Sequence, residues 1–241
     1  MEPPPVGNRL LDRLPAADLR RLLAAGRPVE LVFAATLHAA DQPIAAVYFP
    51  TRGFISLIMP VDRHVGVEVG LVGREGMFGI PLALGAARAP MRAVVQGAGS
   101  AIVLSAEAFL GELASGHALR SAMYAYAVVQ LRQLCQNVAC ARFHLVEARL
   151  ARWLLMTQDR AEGRTFRITH EFLGNMLGVR RAGVTMAAGA LQRHGLIQYR
   201  RGTLTILDRR GLKAAACGCY AADRTSYDDI LPSTRIARSF A

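Results

Sequence analysis

The 241-residue chain is 52% hydrophobic and 20% charged, enough apolar material for two cores. It has no apolar run near the roughly twenty residues of a membrane span and no charged start leading into an apolar stretch, so no membrane partner and no export route are expected, and a cytoplasmic protein is. Four scattered cysteines do not form a disulfide framework, and the net charge of +11 is confined to one half: residues 1–115 balance to zero and residues 116–241 hold the whole surplus.

In chain order, residues 1–6 with three consecutive prolines are expected to be disordered. Residues 8–25 carry Leu10, Leu11, Leu14, Leu19, Leu22 and Leu23 in a short helical pattern interrupted by Pro15, a cap for a sheet. Segments 29–33, 45–49, 54–59, 65–72, 92–96 and 101–104 are short, rich in β-branched and aromatic residues, and separated by Gly, Pro or Asp. Such punctuation suits a β-sandwich or small barrel. From 117 to about 142 the chain has no proline, and its nearest glycine is Gly116. Leu119, Met123, Tyr126, Val129 or Gln130, Gln133 and Asn137 recur there at spacings of three and four, the seam pattern of a helix that pairs with another. A two-fold homodimer is the expectation, with Gln130, Gln133 and Asn137 setting register; the alternative is a helix that packs on its own sheet.

Residues 168–207 carry the most information. Thr169 is placed to cap a helix, with Glu171 favouring its positive end. Phe172, Leu173, Met176 and Leu177 give that helix one buried side, Gly174 lets a second helix pass closely, and Gly178 supplies the turn. The second helix, about 180–194, turns Val184, Ala187, Ala188 and Leu191 inward and leaves Arg180, Arg181 and Thr185 at its exposed N-terminal end, the residues that enter a major groove. After Gly195, residues 196–199 and 203–207 read as two strands joined at Arg200-Arg201-Gly202, a winged helix-turn-helix with two guanidinium groups at the wing tip. The basic half attracts any polyanion. The helix pair selects double-stranded DNA, because no amphipathic helix turns large apolar residues toward a membrane.

The region from about 143 to 220 resembles the DNA-binding domain of the Crp/Fnr superfamily of bacterial regulators. The resemblance rests on the run from Arg149 to Leu155, on Thr169 to Leu177 with Gly174 and Gly178, and on His194-Gly195-Leu196-Ile197. It implies an α+β chain: an N-terminal jelly-roll sensor (1–115), a dimerisation helix (116–142) and a C-terminal winged helix-turn-helix domain (143–241). It also implies RNA polymerase as a partner, and it aligns Arg181 with the family's base-contacting arginine. Ala182 replaces a glutamate that often reads cytosine, and Met186 stands where a second reading arginine often lies. Thr169, His170, Arg200, Arg201 and Thr203 are the expected phosphate contacts, which position without specifying.

In this family the jelly roll commonly holds a cyclic nucleotide through an acid on a Gly-Glu turn and an Arg-Ser pair. Here Ile80 stands where the acid would be, and Met91-Arg92 replace the pair, so cyclic-nucleotide binding is not expected and no cofactor is predicted. Arg74, Glu75, Arg88 and Arg92 are the polar candidates for another effector pocket; the alternative is that they decorate exposed turns. Cys135, Cys140, Cys217 and Cys219 all lie far from the N-terminus, where the iron–sulfur branch of the family carries its ligands. Cys140, His144 and Glu147 share a face only if the helix runs on unbroken, and Cys217-Gly218-Cys219 has a poor zinc spacing. A metal or redox sensor using Cys140/His144 or Cys217/Cys219 is therefore the alternative function. A jelly-roll metalloenzyme is the least expected, since His38 and His64 lack the close pairing such sites use. No catalytic residue is assigned: the chain has neither a nucleophile elbow nor a phosphate-cradling glycine loop.

Overall fold

The computed structural model describes residues 6–62, 64–161 and 163–231. The proline run at 1–5, for which the sequence predicts disorder, lies outside the described residues, as does the His64 side chain. Leu11–Arg13 make one 3-10 turn and Ala16–Ala25 make α1, with Pro15 at its N-cap. Pro15 thus begins a helix rather than interrupting one, because a fixed φ and a missing N–H are harmless at a helix entrance. Buried Asn8 fastens this cap to the sheet. Its Nδ2 donates to the carbonyls of Pro50 (2.8 Å) and Gly76 (2.9 Å), and its Oδ1 accepts from the N–H groups of Leu10 and Leu11.

The N-terminal half is an antiparallel sheet of β1 (Arg27–Leu31), β2 (Thr36–His38), β3 (Ala46–Val61), β4 (His64–Val72) and β5 (Arg92–Ser105). Its order is β1-β5-β3-β4, with β2 also on β5. Two corrections to the sequence reading have one cause. Segments 45–49 and 54–59 are a single strand, as are 92–96 and 101–104, and register shifts replace the expected turns where β3 crosses β5 between Pro50 and Ile55. Gly53 takes φ +72 there, and a Cβ on it would stand 2.3 Å from the Gly97 carbonyl oxygen, so the glycine marks a bulge between two long strands. The three-residue β2 escapes a sequence reading because so short a run has no period.

A short α2 (Ile80–Ala83) and α3 (Ala106–Ser115) lead to the long α4 (His117–Phe143). Ile80, in the acid's place, is buried with Leu57, Val72, Phe78, Leu82, Ala83, Ala93 and Val95 in one apolar core. On α4 the seam assignment is corrected. Leu119, Met123, Tyr126 and Val129 are 0–2% exposed and belong to that same core, facing their own sheet rather than a partner. Gln133 is buried as well, Gln130 donates to the Tyr126 hydroxyl (3.2 Å), and Asn137 donates to the Val69 carbonyl (2.9 Å). The exposed apolar stripe is a different one: Tyr124, Val128, Leu131 and Val138, 48–72% exposed, with exposed Cys135 completing spacings of four, three, four and three.

His144 ends α4, and α5 (Val146–Arg160) begins the C-terminal half. There β6 (Thr165–Arg167), α6 (His170–Leu177), α7 (Arg181–Arg193), β7 (Ile197–Arg200), β8 (Thr203–Ile206) and α8 (Arg209–Ala215) surround a second core of Leu150, Leu154, Leu173, Val184, Leu191 and Ile206. The last helix, α9 (Cys219–Ile230), returns to pack along α4 and places Tyr227 in the first core. Polar joints hold the halves together. Buried Glu75 pairs with Arg160 (2.7 Å), Trp153 Nε1 donates to Glu68 (2.7 Å), and Arg152, itself ion-paired with Asp223 of the C-terminal half (2.5 Å), donates to Asn137 of α4 (2.6 Å). Burial pushes the Glu68 carboxyl up to about 7, against the hydrogen bonds from Ser56 and Trp153 that favour its charge.

The four effector-pocket candidates do not converge. Glu75 is spent on Arg160, with Arg74 beside it at the rim of a cavity of about 290 Å³ bordered by α5 and α9 residues. Arg88 is exposed and donates to the Asp41 carbonyl (2.6 Å), while Arg92 opens β5. His38 is buried against Phe78 with its ring nitrogen 3.4 Å from the Ala89 carbonyl oxygen, a core contact.

Candidate DNA interface

The helix pair forms as its sequence dictates. Thr169 caps α6, its hydroxyl accepting from the Phe172 N–H (3.1 Å). Gly178 ends α6 at φ +62, in the left-handed region. A Cβ on Gly174 would stand 2.9 Å from the Val179 carbonyl oxygen and 3.6 Å from the Arg181 nitrogen, so any larger residue would push α7 off α6. Arg149 closes the turn from below by donating to the Leu177 carbonyl, one of the carbonyls the end of α6 leaves unpaired. That contact gives the Arg149–Leu155 run a physical role.

α7 starts one residue later than its sequence suggests, with Arg180 at its N-cap. Arg180, Arg181, Ala182, Thr185 and Met186 are exposed along its first two turns, and Met186 is 76% exposed. At the wing, Arg200 pairs with Thr203 across a two-residue loop in which Arg201 takes φ +50 and Gly202 φ +77. Positive φ at both positions is the tight hairpin geometry whose twist matches that of the strands. It leaves the exposed Arg200 and Arg201 side chains at the tip.

Two assignments change here. His170 is half-buried and stacks on Tyr199 with ring centroids 4.3 Å apart, so it is a supporting residue rather than a free phosphate donor. Thr185 is occupied too: its hydroxyl donates to the Arg181 carbonyl (3.1 Å) and lies 3.0 Å from His170 Nδ1. With its proton on Arg181, the hydroxyl accepts from Nδ1–H, which leaves His170 Nε2 as a buried acceptor without a partner. Burial, and then the Arg181 charge, lower the His170 pKa. Thr185 thus ties α6 to α7 instead of reading bases.

The sequence reading missed β6. It adds a third strand to the wing, with Arg167 paired to Thr203 and exposed beside the tip. The alternation in Thr165-Phe166-Arg167-Ile168 carried that signal, since Phe166 and Ile168 pack inward while Thr165 and Arg167 face out.

The structure thus defines a class: a sheet domain and a winged helix-turn-helix domain joined by one long helix. Residues 148–215 match the Crp-like helix-turn-helix domain family. No curated protein matches the sequence. Among solved structures, a protein of the Crp/Fnr family from Eubacterium rectale is 16% identical over 86% of this chain and 96% of its own, with a TM-score of 0.69. FixK2 from Bradyrhizobium japonicum is 14% identical over 80% and 98% (TM-score 0.66). The c-di-GMP responsive global regulator CLP of Xanthomonas campestris is 19% identical over 80% and 100% (TM-score 0.65). Residues 148–215 thus carry a Crp-like helix-turn-helix domain, and the chain as a whole shares the fold of these Crp/Fnr structures.

Proposed function

We propose that this protein is a homodimeric, sequence-specific transcription regulator that binds double-stranded DNA through α7 and its wing. One observation carries the reading: Arg180, Arg181 and Met186 stand exposed on the first turns of α7, flanked by Arg167, Arg200 and Arg201 on a single basic wing. Arg181 reads a base edge, and Met186 offers an apolar contact to a thymine methyl. Thr169, Arg200, Arg201 and Thr203, joined by Arg167, hold phosphates.

The dimer forms along Tyr124, Val128, Leu131, Cys135 and Val138 of α4, whose spacing is that of a two-helix seam. Two copies then present two α7 helices to half-sites one DNA turn apart. The apolar filling around Ile80 and the dispersal of Arg88 and Arg92 support a signal other than a cyclic nucleotide. Cytoplasmic DNA is the setting, and contact with RNA polymerase is the family's usual means of acting on transcription.

Selection from a randomised duplex library followed by titration tests the reading. Arg181→Ala should lose about 1–3 kcal/mol of discrimination at one position of each half-site. Unchanged preference would remove Arg181 from base reading. Arg200→Ala with Arg201→Ala should weaken all sequences alike and lower the salt slope by about two. An unaltered slope would mean that the wing does not touch DNA.

A further inference from the structure

Four metal-ligating side chains from two separate segments meet where α4 joins the DNA-binding half. Cys140 lies on the last turn of α4, His144 is the residue that ends it, and Cys217 and Cys219 lie between α8 and the first residue of α9. Their ligand atoms all lie within 4.8 Å of one another. The sequence separated them into two unpromising pairs and joined Cys140 and His144 to Glu147. The helix break at His144 takes Glu147 out of the set, and the fold of α9 against α4 brings the two pairs together.

We infer that Cys140, His144, Cys217 and Cys219 form a structural zinc site that clamps the hinge between α4 and the DNA-binding domain. Three thiolates and one imidazole are a donor set of closed zinc sites, with bonds of about 2.3 Å to sulfur and about 2.0–2.1 Å to nitrogen. A tetrahedron with those bonds has edges of about 3.8 Å between sulfurs and about 3.6 Å between sulfur and nitrogen. Here Cys140 and Cys217 sulfurs are 3.6 Å apart, and Cys219 Sγ is 3.5 Å from His144 Nδ1. An iron–sulfur cluster needs its irons and sulfides between the thiolates, and donors this close leave room for one ion only. Gln136 Nε2 donates to Cys219 Sγ (2.9 Å), an outer-shell hydrogen bond of the sort that orients a thiolate ligand. Exposed His144 is the side from which the ion enters, the three thiols releasing their protons as they bind it. Once bound, the ion fixes the first non-helical residue after α4 to the start of α9, and so fixes the angle at which α5 leaves the hinge.

The full chain, isolated without a metal-affinity step, should carry about one zinc per protomer by elemental analysis. Cobalt(II) added to the demetallated chain should give the visible bands of a tetrahedral ion together with thiolate-to-cobalt charge transfer. His144→Ala and Cys219→Ser should remove stoichiometric zinc, and Gln136→Leu should weaken it by roughly tenfold or more. Cys135→Ser, outside the cluster, should keep the full complement. Because His144 is exposed, its variant should stay folded by circular dichroism, which separates loss of metal from loss of structure. The assignment is overturned by metal-free native protein that shows no cobalt–thiolate band, by stoichiometric iron or copper in place of zinc, or by a Cys140–Cys217 disulfide in the freshly isolated chain.

Discussion

The winged helix and the long helix α4 both declare themselves in sequence by apolar spacing, with opposite results. In α6 and α7 a single face is apolar, so Leu173, Met176, Val184 and Leu191 had one place to go, and the second core is where they lie. α4 carries two apolar stripes in the same period. One, from Leu119 to Val129, packs on its own sheet, and the other, from Tyr124 to Val138, stays exposed. Spacing shows that a face is apolar; it does not show what covers it.

The sharpest way to break that comparison is to charge the exposed stripe. Val128→Glu with Leu131→Glu should convert a dimer to a monomer by light scattering while leaving the fold intact. Binding to a two-half-site operator should fall by roughly 10²–10⁴-fold, since the second half-site loses its tethered partner. A variant that stays dimeric would move the seam elsewhere. On the opposite stripe, Met123→Ala should leave the mass unchanged and destabilise the chain by about 2–5 kcal/mol, because Met123 is fully buried against the sheet. Dissociation without loss of melting temperature would return Met123 to the seam.

A smaller effect probes the joint between the halves. Glu68 on β4 accepts from Trp153 on α5, and burial holds its carboxyl at about 7. A carboxyl raised in the folded state binds a proton that the unfolded chain has lost, so its contribution is greatest below the ordinary carboxylate range and falls as pH rises through about 7. Glu68→Gln keeps an acceptor for the indole N–H and has no charge to bury. Its melting temperature, compared with the parent's across that window, should gain ground as pH rises. Two parallel curves would show that Glu68 does not titrate at the joint.

Local chemistry made part of the molecule legible in its sequence. The Thr169 cap, the close approach at Gly174, the turn at Gly178 and the tight wing turn each depend on residues within a few positions, and each stands where the sequence puts it. The features that escaped depend on partners far along the chain. Gly53 looks like a turn and is a bulge because β5 passes within van der Waals range of it. Glu75 looks like a pocket acid and pairs with Arg160, eighty-five positions away. Cys140 and Cys217 meet across seventy-seven positions, and no spacing rule within either segment reveals it.

His170 supplies the finest test, because it sits inside the most legible region and still departs from its expected role. By sequence it is a polar residue at a helix start, free to meet phosphate; by structure it is held between Tyr199 and Thr185, behind Arg181. Burial and the Arg181 charge lower its pKa, so the unfolded chain takes up a proton first as pH falls. Its contribution to stability is therefore complete above the ordinary histidine value of about 6.5 and is lost as pH drops below it. In DNA-free protein, His170→Phe should keep the stack on Tyr199, lose the hydrogen bond to Thr185, and lose this dependence on pH. If parent and variant fall in step between neutral and mildly acid pH, His170 is solvated and free, and the phosphate role read from the sequence is the better one. If only the parent falls, the residue acts by fixing α7 against α6, and Arg181 owes part of its aim to a neutral imidazole behind it.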